Sequence, residues 1–194
     1  MSQRDRELSR DSLSNRESLT SSLKDSLVNK PSFIQYNSFR FLIMDSPKDS
    51  NIYSYLQILG KYNVKVLVRI SDPTYSTEEV ERAGIAVEEL QYPDGQAPSV
   101  EVVERWLDLC RTYLSTDKGP SPCLAVHCVT GLGRAPVLVA LALICYGMEA
   151  SAALALIRDR RRGSINAAQE EFLREYEGSL PPRKTEVPNS CAVM

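Results

Sequence analysis

Between Phe39 and Glu177 the chain alternates two hydrophobic rhythms. Phe39 to Met44 is a short apolar run of strand length, and Asp45-Ser46-Pro47 ends it. Val64-Lys65-Val66-Leu67-Val68-Arg69-Ile70 is the clearest strand, rich in β-branched residues. Ile85 to Leu90 gives another. Cys123 to Val126 is short and apolar and follows Gly119-Pro120-Ser121-Pro122, which predicts a buried central strand. Helical spacing fills the intervals. Asn51 to Tyr62 reads as a helix, and Ser76 with Glu79 fits a capping box for a short one. Ser99 can cap a longer helix in which Val100, Val103, Leu107, Cys110 and Leu114 form one stripe. Trp106 lies beside that stripe and is expected in the core. Ala135 to Tyr146 is apolar on nearly all sides and predicts a buried helix. Ser151 to Arg160 and Ala167 to Glu177 predict two more. This alternation predicts an α/β domain over residues 31–180, with a central, mostly parallel sheet flanked by helices.

The ends read differently. The first thirty residues hold eight serines and charges of both signs, and predict a disordered tail over 1–30. Leu19, Leu23 and Leu27 recur at i, i+4, so a short amphipathic helix is an alternative there. After Pro181-Pro182 a polar, flexible tail is expected over 181–194.

Composition narrows the function. The formal net charge is −2 and the pI about 5.6, which argues against bulk electrostatic binding of nucleic acid. No apolar run approaches the roughly 18 residues of a spanning helix, and the N-terminus lacks the apolar core of a secretory signal. The five cysteines are odd in number and form no CxxC pair. A reducing compartment is expected, with no disulfide framework, no metal site and no cofactor.

The chemistry concentrates in His127-Cys128-Val129-Thr130-Gly131-Leu132-Gly133-Arg134, between the buried strand and the buried helix. Such a loop turns its backbone N–H groups towards one anion. The following helix adds the partial positive charge of its N-terminus. Gly131 and Gly133 allow close backbone approach, and Pro136 suits the first helical turn. The positive surroundings favour a thiolate at Cys128, and the planar fork of Arg134 can bind two phosphate oxygens. Cys128 is therefore expected to be a nucleophile aimed at phosphorus. Val129, Thr130, Gly131, Leu132, Gly133 and Arg134 would cradle the phosphate. The competing reading is a buried cysteine in a glycine loop; the glycines, the strand and the helix together favour the catalytic one. His127 is the sole histidine. As a strand neighbour of Cys128 it points to the opposite face, so it is read as support for the loop rather than as the general acid. A proton for the leaving oxygen is expected from Asp94, in the turn Tyr92-Pro93-Asp94-Gly95. Alone, an aspartate before glycine is usually a turn residue; the company of Cys128 changes its weight.

From Ala125 to Ile144 the sequence resembles the phosphatases of regenerating liver, small prenylated members of the protein tyrosine phosphatase superfamily. Arg161-Arg162-Gly163-Ser164-Ile165-Asn166 resembles their Arg-Arg-Gly-Ala-Ile-Asn run, and Lys61-Tyr62, Val68-Arg69 and Thr74-Tyr75 extend the likeness. It covers about Tyr36 to Tyr176 and the last four residues. The resemblance implies the cysteine-phosphatase fold and a two-step mechanism through a cysteinyl-phosphate on Cys128, with Asp94 protonating the leaving group. It implies a phosphoprotein substrate, and a cyclin-M type magnesium-transport mediator as partner. His127, Ala135 and Gln169 are expected behind the phosphate-binding residues. Ala135 stands where most of the superfamily carries Ser or Thr, so a slow second step is implied. Pro93 replaces the first aspartate of the family's acid loop, and Ser71 replaces the family's regulatory disulfide partner.

Cys191-Ala192-Val193-Met194 reads as a CaaX box whose Met favours farnesyl. This places the chain, by expectation, on the cytosolic face of plasma or endosomal membranes. One lipid anchors weakly, and Arg183-Lys184 is a weak second signal. Arg158, Arg160, Arg161 and Arg162 either add to it or form a solvated helix end. The sequence thus predicts a farnesylated, dual-specificity-type tyrosine phosphatase hydrolysing phosphomonoesters. Three rivals are a binding module whose turnover is incidental, a phosphoinositide phosphatase and a rhodanese-like transferase. The phosphoinositide reading is disfavoured because no lysine lies between Cys128 and Arg134. The sulfur-transfer reading is disfavoured by Arg134 and Asp94.

Overall fold

In the computed structural model residues 30–114 and 122–179 are described, with side chains through Glu177. Five strands form one sheet: β1 (Ser32–Tyr36), β2 (Phe39–Met44), β3 (Val64–Arg69), β4 (Ala86–Glu89) and β5 (Cys123–His127). Their spatial order is β1-β2-β5-β3-β4. β5 runs parallel to both neighbours and β4 runs parallel to β3, whereas β1 pairs antiparallel with β2. All five residues of β5 are buried, as a strand covered on both faces requires.

The helices are α1 (Ile52–Lys61), α2 (Glu78–Arg82), α3 (Val100–Leu114), α4 (Arg134–Cys145), α5 (Ala150–Arg160) and α6 (Ala167–Ser179). Two cores result. On one face Ile52, Tyr55, Leu59 and Val80 of α1 and α2 meet Leu42, Leu67 and Ala125 of the sheet. On the other, α3 to α6 cover Phe41, Ile43, Val66, Val68, Leu124 and Val126. α4 lies at the centre of that second layer, with every residue from Arg134 to Ile144 buried. The expected α/β architecture with a mostly parallel sheet is therefore present.

Three local expectations need correction. The first strand is not Phe39–Met44 but β1, a hairpin partner reached through a turn in which Asn37 takes φ 52°. Asn-Ser without glycine is a weak hairpin signal. The capping box at Ser76 and Glu79 is not made. Thr77 is the N-cap, Ser76 Oγ accepts from the Glu78 N–H at 3.4 Å, and Glu79 pairs with Arg82. On α3, Val100 is 69% exposed, whereas Trp106 is fully buried. The buried face is Val103, Trp106, Cys110 and Leu114. Ser99 does cap this helix, its Oγ accepting from the Val102 N–H at 3.4 Å.

The tail assignments, the Leu19-Leu23-Leu27 alternative, Arg183-Lys184 and the Cys191 box lie outside the described residues. No helix among the described residues is long and apolar enough to cross a membrane.

Candidate active site

β5 delivers His127 and Cys128 to the C-terminal edge of the sheet, between the ends of β2 and β3. Crevices at such strand ends are where open α/β sheets place ligands. Cys128 is 2% exposed. The next five residues loop to Arg134, the first residue of α4.

Each carbonyl of this loop is held from outside. His127 Nδ1 lies 3.4 Å from the Cys128 oxygen. The Ser46 N–H donates to Val129 O at 3.0 Å. Arg161 donates from NH2 to Thr130 O at 2.9 Å and from Nε to Gly131 O at 2.6 Å. The Ile165 N–H donates to Leu132 O at 2.8 Å. In a planar trans peptide the following N–H points opposite to the carbonyl. The N–H groups of Val129 through Gly133 therefore point away from those partners, towards the hollow over Cys128. Gly131 has φ +69°, and a Cβ there would collide with the Met44 carbonyl and with Arg161. Only glycine serves at that position.

Arg134 is 8% exposed and donates from NH1 to Tyr92 O at 3.2 Å and Ile70 O at 3.4 Å. The buried Tyr92 hydroxyl returns a bond to Arg134 O at 2.8 Å, which ties the acid turn to α4. Asp94 Oδ1 lies 3.1 Å from Arg134 Nε, although Nε has no aligned hydrogen-bond acceptor among the described residues. The Asp94 carboxylate is otherwise exposed. It stands between two cavities. One of about 420 Å³ is lined by Ile70, Asp72, Gln91, Tyr92, Pro93 and Arg134, and one of about 270 Å³ by Thr130, Leu132, Gly133, Asn166 and Gln169 among others.

Asn166 and Gln169 cap α6 reciprocally. Gln169 Oε1 accepts from the Asn166 N–H at 3.1 Å and Asn166 Oδ1 accepts from the Gln169 N–H at 2.9 Å. Asn166 Nδ2 also donates to Gly95 O at 3.3 Å. Gln169 is fully buried, and its Nε2 has no partner among the described residues. A Cβ on Gly133 would sit 3.3 Å from that nitrogen, so the amide faces the loop.

Below the loop, His127 is fully buried, with Nε2 2.8 Å from the Tyr75 hydroxyl. Burial pushes its pKa down to about 4, and the nearby Arg69 charge pushes the same way. Arg69 donates to Tyr75 O at 3.0 Å and binds Glu89 through Nε at 2.8 Å.

The structure thus brings together Cys128, the Val129 to Arg134 loop, Asp94, His127, Ala135 and Gln169. Sequence reasoning did not find Tyr75, Asn166 or the role of Arg161. The basic run Arg158, Arg160, Arg161 and Arg162, which the sequence leaves as either a membrane signal or a solvated helix end, is divided in the structure. Arg161 is buried under the loop, and Arg158 donates to Ser164 O, Ile165 O and Glu170 Oε2. Arg160 and Arg162 remain exposed. Among the described residues no group of three or more His, Cys, Asp or Glu side chains could hold a metal ion.

Residues 43–148 match a family model described as a polymorphic toxin system DSP-PTPase phosphatase. The PRL-1 phosphatase of Drosophila melanogaster is 45% identical over 91% of this chain and 99% of its own length. The mouse protein tyrosine phosphatase type IVA 2 is 41% identical over 84% of this chain and 96% of its own. A solved structure of a Leishmania major protein tyrosine phosphatase superposes with a TM-score of 0.69 at 38% identity, covering 76% of this chain and 99% of that one. Fold, loop and relatives together define a cysteine-dependent protein tyrosine phosphatase of the dual-specificity class. Within that class the chain belongs to the type IVA enzymes, the phosphatases of regenerating liver.

Proposed function

We propose that the enzyme hydrolyses protein phosphomonoesters in two steps at Cys128. The observation that carries this reading is the row of five outward-held carbonyls from Cys128 to Leu132, which leaves five N–H groups for one dianion. Arg134 adds a fork for two of the oxygens. In the first step the Cys128 sulfur attacks phosphorus, the bond to the leaving oxygen breaks, and Asp94 supplies that oxygen with a proton. In the second, water attacks the cysteinyl-phosphate, Asp94 takes the water's proton, and the thiolate leaves. Gln169 Nε2, which has no partner among the described residues and lies beside Gly133 and Asp94, would hold that water. Ala135, buried and without a hydroxyl, offers the departing sulfur no hydrogen bond, which makes the second step slow.

The surroundings favour a single phosphate on a neutral or aromatic side chain. Val129 is 56% exposed and Leu132 36%, so apolar groups rim the cradle. Among the described residues Arg134 is the one cation lining either cavity, beside the carboxylates of Asp72 and Asp94. A phosphoinositide with further phosphates would meet acid rather than base there. The test is turnover of phosphotyrosyl peptides and phosphoinositides by wild type, Cys128→Ser and Asp94→Ala. Cys128→Ser should abolish turnover, and Asp94→Ala should lower it on the order of 10²- to 10⁴-fold. Turnover surviving in Cys128→Ser would sink the mechanism.

A second reading rests on Ala135. A slow second step makes turnover incidental, and the same phosphate pocket, when not phosphorylated, then serves to grip a membrane partner such as a cyclin-M type transport mediator. In that case Cys128→Asp, which places a carboxylate in the cradle, loses partner capture, whereas Asp94→Ala loses turnover and keeps capture. Finally, the Cys191-Ala192-Val193-Met194 box supports farnesylation and attachment to the cytosolic face of plasma or endosomal membranes.

A further inference from the structure

We infer that Arg161 is a positioning residue of the phosphatase site: its guanidinium turns the Gly131 and Leu132 N–H groups towards the phosphate and couples the loop to the start of β1. The inference rests on the reading that this loop binds phosphate.

Arg161 is 6% exposed, yet none of its four hydrogen bonds among the described residues goes to a carboxylate. Two go to the adjacent carbonyls of Thr130 and Gly131. The other two, from NH1, go to Lys30 O at 3.2 Å and Ser32 Oγ at 3.3 Å. A buried cation is costly unless its partners are well placed. Burial lowers the pKa of this guanidinium from its usual value, and the charges of Asp45 and Cys128 offset part of that.

The shape of the group explains the choice of residue. A guanidinium presents its N–H groups in a rigid plane, so Nε and NH2 can take two neighbouring carbonyl oxygens at once. Holding those oxygens below the loop forces the next two N–H groups upward, because each peptide is planar. The missing Cβ of Gly131 leaves the space the fork occupies. Gly131 and Arg161 are thus two halves of one device. NH1 carries the device outward to the first residues of the sheet's edge. There the Ser32 hydroxyl accepts from Arg161 and donates to Arg160 O at 3.0 Å. The edge strand therefore fixes the turn from which Arg161 rises. Lysine would keep the charge and lose the fork, since its donors radiate from one point.

The experiment compares wild type, Arg161→Lys and Ser32→Ala in the full chain. Two alkylating agents report on Cys128, read by mass spectrometry of the peptide that carries it. Iodoacetate needs the anion cradle, whereas iodoacetamide needs only an accessible thiolate. Circular dichroism establishes the folded fraction. A general loss of structure shifts both rates; a misaimed cradle lowers the iodoacetate to iodoacetamide ratio alone. The ratio should fall about tenfold in Arg161→Lys and about threefold in Ser32→Ala. The inhibition constant of vanadate should rise on the order of 10- to 100-fold in Arg161→Lys. An unchanged ratio in folded Arg161→Lys overturns the inference. If that variant does not fold, Ser32→Ala decides, and an unchanged ratio there overturns it. Survival of turnover in Cys128→Ser is a separate result and would remove the phosphatase mechanism itself.

Discussion

His127 shows how one side chain links loop geometry to pH. Its Nδ1 faces the Cys128 carbonyl, which can only accept, so Nδ1 carries the proton and Nε2 accepts from the Tyr75 hydroxyl. This tautomer fixes the ring and holds the first carbonyl of the loop. Protonating Nε2 would set a donor against a buried cation's neighbourhood, and burial already pulls the pKa to about 4, below the ordinary 6.5. Between those values the unfolded chain binds a proton that the folded one refuses. Stability is therefore fully present above about pH 6.5 and declines as pH falls towards 4, by on the order of 3 kcal/mol. Because the chain has one histidine, its ring proton resonances can be followed without ambiguity. They should show a neutral imidazole down to about pH 4, and a midpoint near 6.5 would contradict the burial argument. Cys128, Arg134 and Asp94 were legible in the sequence because a contiguous loop and a turn signal carry them. Arg161 and Tyr75 were not. They lie 30 residues from Gly131 and 52 from His127, and no local pattern records a contact closed through the fold.

Among the elements, α3 and α4 are joined by more than apolar packing. The Trp106 indole N–H donates to Leu138 O at 2.6 Å in the middle of the buried helix. Trp106→Phe removes that donor and some volume from a fully buried position. We expect a loss of about 2 kcal/mol in thermal or urea unfolding. Turnover below the melting transition should be unchanged, since neither residue reaches the loop. The helices and parallel strands could be read because their periods are long and apolar. β1 could not: polar Ser32 and Gln35 interrupt its short run, and its pairing depends on β2. Val100 misled because stripe membership does not say which side of a helix end meets the core.

For the whole molecule, the strand order sets the loop, the acid turn and the start of α6 around one edge of the sheet. With Arg161 buried under the loop and the half-buried Arg158 paired with Glu170, only Arg160 and Arg162 of the basic run are exposed. On the proposed function, membrane attachment would rest on the lipid at Cys191. Protein from its native cells should carry a farnesyl by intact mass. Cys191→Ser should move it from the membrane fraction to the supernatant, with kcat/KM on a soluble peptide unchanged. A Cys191→Ser protein that stays with membranes would remove the anchor from the account.

The contact between Asp94 and Arg134 gives the cradle its own counter-ion. An arriving anion must exchange with that carboxylate rather than fill a bare positive charge. Chloride or another small monoanion gains little from the exchange, because it cannot also satisfy the ring of backbone donors. On the proposed mechanism a phosphoester dianion can, and once displaced from Arg134 the Asp94 carboxylate would be free to take up a proton from solvent and turn towards the leaving oxygen. The resting contact is in this sense a toll on ambient salt, one that only a ligand able to complete the whole cradle recovers.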